Sequence, residues 1–171
     1  MQNSFKKILI LGAAYCLISA TPVMAGIEEN AVKQENSFLQ LENMNRANSI
    51  NSDRGNYISS SHAGITNNGG GVIGISGLTT AHEPVDKIRI HLYLDRLDSD
   101  GRWTQVDDFD FTFTPEDDPY GELTIASVDF EVTDQPSGYY YRVRGTHGVW
   151  KNGVSETQST RTDGVMITDT P

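Results

Sequence analysis

The fold class follows from residues 87–94, which read KIRIHLYL. Every even-numbered position in this stretch is isoleucine or leucine, whereas the odd-numbered positions carry Lys, Arg, His and Tyr. Successive side chains of an extended strand point to opposite faces of its sheet, so the apolar residues share one face. A strand with one buried face and one solvated face is typical of an antiparallel sheet.

Turn residues on both sides of this stretch predict two hairpins. After it, Asp98-Ser99-Asp100-Gly101 predicts a tight reversal, because glycine tolerates positive φ and aspartate bonds to nearby backbone. The chain then returns as the apolar-alternating stretch 103–113. Before it, the glycine-rich segment 67–71 separates 57–65 from 72–78 in the same way.

The second half of the chain continues this pattern of short strands and turns. The further strands are predicted at 123–132, 139–145, 154–162 and 165–167, with the strongest turn signal at Asn152-Gly153. Seven or eight strands without intervening helices favour an all-β antiparallel sandwich over a barrel. The residues that share the inward parity of their strands predict a core of Ile88, Ile90, Leu92, Phe111, Val128, Phe130, Tyr141 and Val143.

The first 25 residues have the three parts of a secretory signal peptide. Lys6 and Lys7 form a positive start, residues 8–20 are apolar, and small residues precede a cleavage site between Ala25 and Gly26. The apolar run is shorter than the roughly 20 residues that span a bilayer. A lipid anchor on Cys16 is the alternative, but the bulky Tyr15 before it disfavours this.

The mature chain is expected to be a secreted, extracellular protein with one domain. Residues 26–53 are polar and predict a flexible leader or a short helix, and residues 54–171 predict the sandwich. After cleavage 11 Lys and Arg stand against 23 Asp and Glu, a formal charge of −12, and no cysteine remains. This charge argues against nucleic acid as a partner, and no membrane association is expected after cleavage.

One segment resembles the late strands of fibronectin type III and related immunoglobulin-like domains. It is residues 136–145 (PSGYYYRVRG), followed by the Asn152-Gly153 turn. In that family a Pro-Gly turn leads into Tyr-x-Val on the core face, and a tyrosine hydroxyl bonds back to the backbone. The turn here is one residue longer, and Asp134 replaces an apolar residue. The resemblance implies a sandwich and brings no catalytic residue with it.

Four further segments resemble a group of small secreted β-sandwich proteins of Gram-positive bacteria that form a domain-of-unknown-function family. They are residues 54–58 (RGNYI), 85–88 (VDKI), 101–103 (GRW) and 140–147 (YYRVRGTH). The resemblance covers residues 54–167. It implies export and a β-sandwich, and it carries no assigned activity.

The usual catalytic and metal-binding motifs are missing from the sequence. It has no Gly-x-Ser-x-Gly elbow and no His-Glu-x-x-His, and its four histidines make no short ligand motif. The acidic turn around Asp98 and Gly101 lacks the first acid and the final glutamate of a calcium loop, which favours a plain hairpin. We therefore expect no enzyme activity, no catalytic residue, no metal and no cofactor, although a spatial carboxylate pair stays possible.

Aromatic residues are the remaining candidates for a ligand-binding site. Trp150 is predicted in a loop between two strands, and Tyr140 and Tyr93 take the outward parity of theirs. Such rings stack on sugars or insert into a partner, or they simply cover the sandwich. The main hypothesis is a non-catalytic binding or adhesion module for an extracellular glycan, wall polymer or protein. The alternatives are a structural or matrix protein that self-associates and a small secreted hydrolase.

Overall fold

Nine β-strands and one 3₁₀ turn build residues 45–52 and 55–171, which are the part of the chain that the computed structural model describes. The strands are β1 (Arg46–Asn51), β2 (Ile58–Gly69), β3 (Val72–Ala81), β4 (Lys87–Leu97), β5 (Trp103–Phe113), β6 (Ile125–Val132), β7 (Tyr139–Lys151), β8 (Val154–Arg161) and β9 (Val165–Ile167), and the 3₁₀ turn is Pro115–Asp117. The predicted signal peptide, its cleavage site and the leader up to residue 44 lie outside the described residues.

The strands form two antiparallel sheets, which confirms the all-β sandwich. The first sheet has the order β1-β2-β3-β6, and the second has the order β5-β4-β7-β8 with β9 paired to the start of β7. The three predicted hairpins join β2 to β3, β4 to β5 and β7 to β8. The described residues contain one strand more than the eight that the sequence pattern indicates, and this extra strand is β1.

The sandwich begins earlier than residue 54, where the sequence pattern placed its start. β1 pairs antiparallel with β2 along its whole length, and Ala47 lies opposite Ile65 with only 2% of its surface exposed. For these residues the prediction of a flexible leader or helix is wrong. The sequence RANSIN has too few apolar positions to show alternation, so its pairing with β2 creates the strand.

Six of the eight predicted core residues are buried between the sheets: Ile88, Ile90, Leu92, Val128, Tyr141 and Val143. Phe111 and Phe130 are only partly buried. They lie on β5 and β6, which are edge strands of opposite sheets. The ring centroid of Phe130 is 4.7 Å from that of Phe109 and 5.5 Å from that of Phe111. These rings close the side of the sandwich, and an edge position leaves part of each ring open to solvent.

Buried polar side chains bridge the two sheets in the interior. The hydroxyl of Ser61 on β2 donates to Oε1 of Gln158 on β8 at 2.9 Å. Thr79 on β3 contacts His147 on β7, whose other ring nitrogen contacts Thr160 on β8. Within the described residues no buried side-chain N or O atom lacks a partner. Pairing of this kind removes the free-energy cost of burying polar atoms.

The carboxylate of Glu156 holds the segment that leads into β2. Its oxygens accept hydrogen bonds from the backbone N–H groups of Asn56 at 2.7 Å, Tyr57 at 3.0 Å and Ile58 at 3.1 Å. A side chain at Gly55 would overlap this carboxylate. The Gly-Asn-Tyr-Ile sequence therefore forms a backbone cradle for an anionic side chain of β8, which ties the first sheet to the second.

Candidate functional site

All three aromatic residues predicted for ligand binding lie on one surface, the outer face of the second sheet. We use this name for the outward side chains of β5, β4, β7 and β8. Tyr93 on β4 is the cross-strand partner of Arg144 on β7, and Trp150 is the partner of Lys87. Tyr140 shares the outward parity of Arg144 and Trp150 along β7. The strand register thus brings residues distant in sequence onto one face.

Trp150 is not in a loop, which corrects its predicted position. It is the penultimate residue of β7, a strand that continues to Lys151. The ammonium nitrogen of Lys87 lies 3.8 Å from the centroid of the Trp150 ring system. An added Cβ at Gly148 would lie 2.7 Å from two ring carbons of Trp150. The indole therefore lies down on the sheet over Gly148 and does not protrude.

A buried carboxylate organises the centre of the outer face. Asp95 has only 3% of its side chain exposed, and its Oδ2 lies 3.0 Å from Nε of Arg142 and 2.7 Å from Nε of Arg144. Arg144 adds a second bond from Nη2 to Oδ1 at 2.9 Å. Burial by itself would raise the pKa of Asp95, but the hydrogen bonds from Arg144 and Arg142 lower it below its usual value. The two bonds from Arg144 and the single bond from Arg142 orient both guanidinium groups.

Each of these guanidinium groups also covers an aromatic ring. The Arg144 guanidinium carbon is 4.8 Å from the ring centroid of Tyr93, and that of Arg142 is 4.3 Å from the centroid of Trp103. The rings of Trp103 and Tyr140 both lie close to Gly164, since a Cβ added there would be 3.0 Å from Trp103 and 3.6 Å from Tyr140. Sequence reasoning missed Trp103, Arg142 and Arg144 as site residues. The sequence could have indicated the two arginines, because positions 142 and 144 alternate with the core residues of β7 and therefore point outward with Tyr140.

The β4–β5 side of this face is a network of acids paired with bases. Arg89 makes two bonds to Asp110, at 2.7 and 2.6 Å. Nε2 of His91 lies 2.8 Å from Asp108, and its Nδ1 lies 2.9 Å from the hydroxyl of Tyr93. With the His91 proton on Nε2, the ring donates to Asp108 and accepts from Tyr93. The network orients Tyr93 and occupies the carboxylates of Asp108 and Asp110.

The β7–β8 side contains a shallow groove of about 410 Å³. It is lined by Tyr93, Arg144, Gly145, Thr146, Ser159, Thr160 and Arg161. Arg161 on β8 is the direct cross-strand partner of Arg144. The groove thus combines two guanidinium groups, several hydroxyl groups and an aromatic ring, which can bind a small polar or anionic group.

The acidic turn predicted as a plain hairpin uses its carboxylates within the protein. Asp98 accepts hydrogen bonds from Thr104 at 2.6 Å and from Arg96 at 3.2 Å, and Asp100 accepts from the backbone N–H of Arg102 at 3.0 Å. Gly101 has a φ of 80°, which suits glycine.

In residues 45–52 and 55–171 no three His, Cys, Asp or Glu side chains gather as metal ligands would. The same residues include no helix with the length and hydrophobicity needed to cross a membrane.

Comparison with known proteins identifies a family and distant structural likenesses. The model of a family of unknown function, DUF6147, matches residues 38–165. No curated protein matches the chain significantly. The crystal structure of the sporulation control protein Spo0M from Bacillus subtilis is similar at 12% identity with a TM-score of 0.36, covering 71% of this chain. The chain spans about half of that structure, 49% of its length.

Proposed function

The chain belongs to the DUF6147 family of unknown function, and from this premise we propose that it is a secreted, non-catalytic binding or adhesion module. The outer face of the second sheet is its contact surface, and an extracellular glycan, wall polymer or protein is its ligand. The observation that carries the proposal is the convergence of Tyr93, Tyr140 and Trp150 with the two arginines bonded to Asp95 on this one face.

The composition of this face supports a contact role. Aromatic residues and arginine are enriched where proteins bind partners, because they bury large areas and donate several hydrogen bonds from rigid groups. Here the Asp95 carboxylate and the ring contacts hold the guanidinium groups in place before any ligand arrives. A preorganised surface loses less side-chain entropy on binding than a flexible one.

Export is the second part of the proposal. Residues 1–25 have the charged start, apolar run and small-residue site of a signal peptide, so the mature protein begins at Gly26. Intact-mass analysis of protein from the culture medium of an expressing Gram-positive bacterium tests this. A mass that retains residues 1–25, or that includes a lipid on Cys16, contradicts it.

A relationship to fibronectin type III domains is the finer structural part of the proposal. The hydroxyl of Tyr141 donates to the carbonyl oxygen of Pro136, five residues upstream, at 3.2 Å. A tyrosine at the start of a late strand with such a bond is a hallmark of sandwich domains of that type. It supports the architectural resemblance, which by itself assigns no ligand.

Self-association outside the cell is the competing function, and one observation favours it. Ile50 on the edge strand β1 is 72% exposed, and Ile125 on the opposite edge strand β6 is 52% exposed. Exposed apolar edges invite pairing with a second copy. Light scattering that shows a concentration-dependent increase in mass, abolished by Ile50→Lys, would support this alternative over ligand binding.

A sedimentation assay tests the proposed function. Purified protein is mixed with insoluble Gram-positive cell-wall sacculi, and the bound fraction is measured for native protein, Tyr93→Ala and Tyr120→Ala. Tyr120 is a suitable control because it is 89% exposed and lies outside the sheets. We expect Tyr93→Ala to weaken retention at least tenfold and Tyr120→Ala to leave it unchanged. Equal retention of both variants contradicts the assignment of the face.

A further inference from the structure

Two arginines stand directly opposite each other across neighbouring strands in the groove of the outer face. Arg144 on β7 and Arg161 on β8 are register partners, so their side chains leave the same side of the sheet from adjacent positions. Like charges in directly opposite positions destabilise a sheet. Such a pair therefore points to a negative group that compensates for the repulsion.

The protein itself compensates only one of these charges. Asp95 bonds to Arg142 and Arg144, and Arg161 makes no salt bridge within the described residues. Arg142 faces Trp103 of β5 and lies outside the groove. Together with Asp95 and Arg144 it leaves one net positive charge, and Arg161 adds a second on β8. The acids of β5 that lie opposite Tyr93 and His91 are Asp108 and Asp110, and they are bonded to His91 and Arg89. This patch is positive although the whole chain has a formal charge of −10.

The rest of the groove matches a sugar in its chemistry. Thr146 and Ser159 are register partners and place two hydroxyl groups beside the arginine pair. Tyr93 lies at the β4 side of the groove with its hydroxyl held by His91. Hydroxyl groups and an aromatic ring next to a cationic pair can bind the hydroxyls, the ring face and the anionic group of one sugar residue. The groove volume, about 410 Å³, lies in the range of small-ligand sites.

We propose that this groove binds an anionic polysaccharide, with Arg144 and Arg161 holding a carboxylate or phosphate group and Thr146, Ser159 and Tyr93 contacting the adjoining sugar or polyol. The inference rests on the proposed function and names its ligand class. Arg144 is preorganised by Asp95, whereas Arg161 supplies the charge that is free to pair with the ligand. Binding then weakens with added salt, because the ions screen the attraction.

Calorimetric titration of the full chain with three probes tests the proposal. The probes are oligogalacturonate as the carboxylate polymer, poly(glycerol phosphate) as the phosphate polymer and dextran as the uncharged polymer. We expect at least one anionic probe to bind ten or more times more tightly than dextran. Arg161→Gln is expected to weaken that binding at least tenfold. Arg161→Lys should retain part of the affinity, because it keeps the charge but not the two-pronged geometry.

Arg46→Gln is the matched control, since Arg46 is an exposed strand arginine on the other sheet and its removal changes the net charge equally. It should change the affinity less than twofold. Equal losses in Arg46→Gln and Arg161→Gln, or equal affinity for dextran, overturn the inference. If sacculi still retain the protein through Tyr93 in that case, the binding module stands and only its ligand class falls. Failure of every probe and of the sacculi removes both proposals.

Discussion

Thr79 of the first sheet and His147 of the second are joined in the core by a 2.9 Å hydrogen bond between Oγ1 and Nδ1. Nε2 of the same ring lies 2.9 Å from Oγ1 of Thr160. The imidazole is fully buried, and its burial, with a smaller effect from His62, lowers the pKa of His147 to about 4. The fold therefore depends on a neutral ring that bridges its two layers.

We expect the free energy of unfolding to fall as the pH decreases from about 6.5 to about 4. In this window the unfolded chain protonates His147 while the folded chain keeps the ring neutral, and stability rises with pH wherever the unfolded state binds more protons. The difference between pKa values of 6.5 and about 4 corresponds to about 3 kcal/mol. Denaturant unfolding between pH 7.5 and 4.5 measures it.

His147→Gln is the informative variant, because an amide can still bond to both threonines but does not titrate in this range. Its stability should vary less between pH 6.5 and 4.5 than that of the native chain. Burial also lowers the pKa of His62, so His62→Gln is measured in parallel to subtract its share. An unchanged pH profile in His147→Gln would rule out this histidine as the source.

The two bidentate arginine–aspartate pairs of the outer face should differ in their contribution to stability. Asp95 is 3% exposed, whereas Asp110 and Arg89 are 42% and 45% exposed. We expect Asp95→Asn to cost about 2 kcal/mol, because it removes charged hydrogen bonds shielded from water. Asp110→Asn should cost less than about 1 kcal/mol, as is usual for exposed pairs. Urea unfolding of both variants checks this. Equal costs would show that burial does not determine how much each pair contributes to stability.

Glu156→Gln should loosen the segment before β2. The variant side chain keeps one oxygen but turns an NH₂ group toward backbone donors, so at least one of the three N–H bonds is lost. We expect a loss of about 1–3 kcal/mol. Hydrogen exchange should accelerate at the amides of residues 56–58 and not in β4. Glu122→Gln, an exposed glutamate on the loop before β6, is the control. Unchanged exchange at 56–58 contradicts the cradle.

Ile90→Ala should destabilise the protein by about 2–5 kcal/mol through lost contacts and a cavity. Ile90 is fully buried, and its Cγ2 atom faces Gly77 of the opposite sheet closely enough that an added Cβ there would be 3.0 Å away. Both sheets meet at this point, so neither can move in to fill the space without disturbing its own pairing. Chemical denaturation measures the cost. A loss below about 0.5 kcal/mol would contradict the packing.

Trp150→Ala should lower the melting temperature by several degrees. The indole covers Gly148 and the side chain of Lys87, so its removal exposes that part of the sheet and ends the cation–π contact. We expect Trp150→Ala to weaken sacculus binding less than Tyr93→Ala does, because Tyr93 lines the groove and Trp150 does not. Thermal unfolding and sedimentation of both variants decide between the two roles. An unchanged melting temperature with a binding loss of about 2 kcal/mol would instead make Trp150 the centre of the contact surface.

The sequence by itself determined the elements whose signals are local. The alternation in residues 87–94 predicts β4, because side-chain direction in an extended strand depends only on the neighbouring residues. The turns at 67–71, Gly101 and Asn152-Gly153 were equally predictable, since their positive φ angles require glycine or asparagine. Outward parity also placed Tyr93 and Tyr140 correctly, although no pattern within one strand shows that they share a face with Trp150.

Pairing between strands decided the remainder. β1 exists because β2 offers it a hydrogen-bonding edge, and β7 continues past Gly145 and Gly148 to Trp150 because β4 and β8 pair with it on both sides. Register alone places Arg144 beside Arg161. It also places Arg142 and Arg144 against Asp95, from which they are 47 and 49 residues distant along the chain. These relationships depend on the alignment of distant strands, and that alignment results from packing the whole core at once.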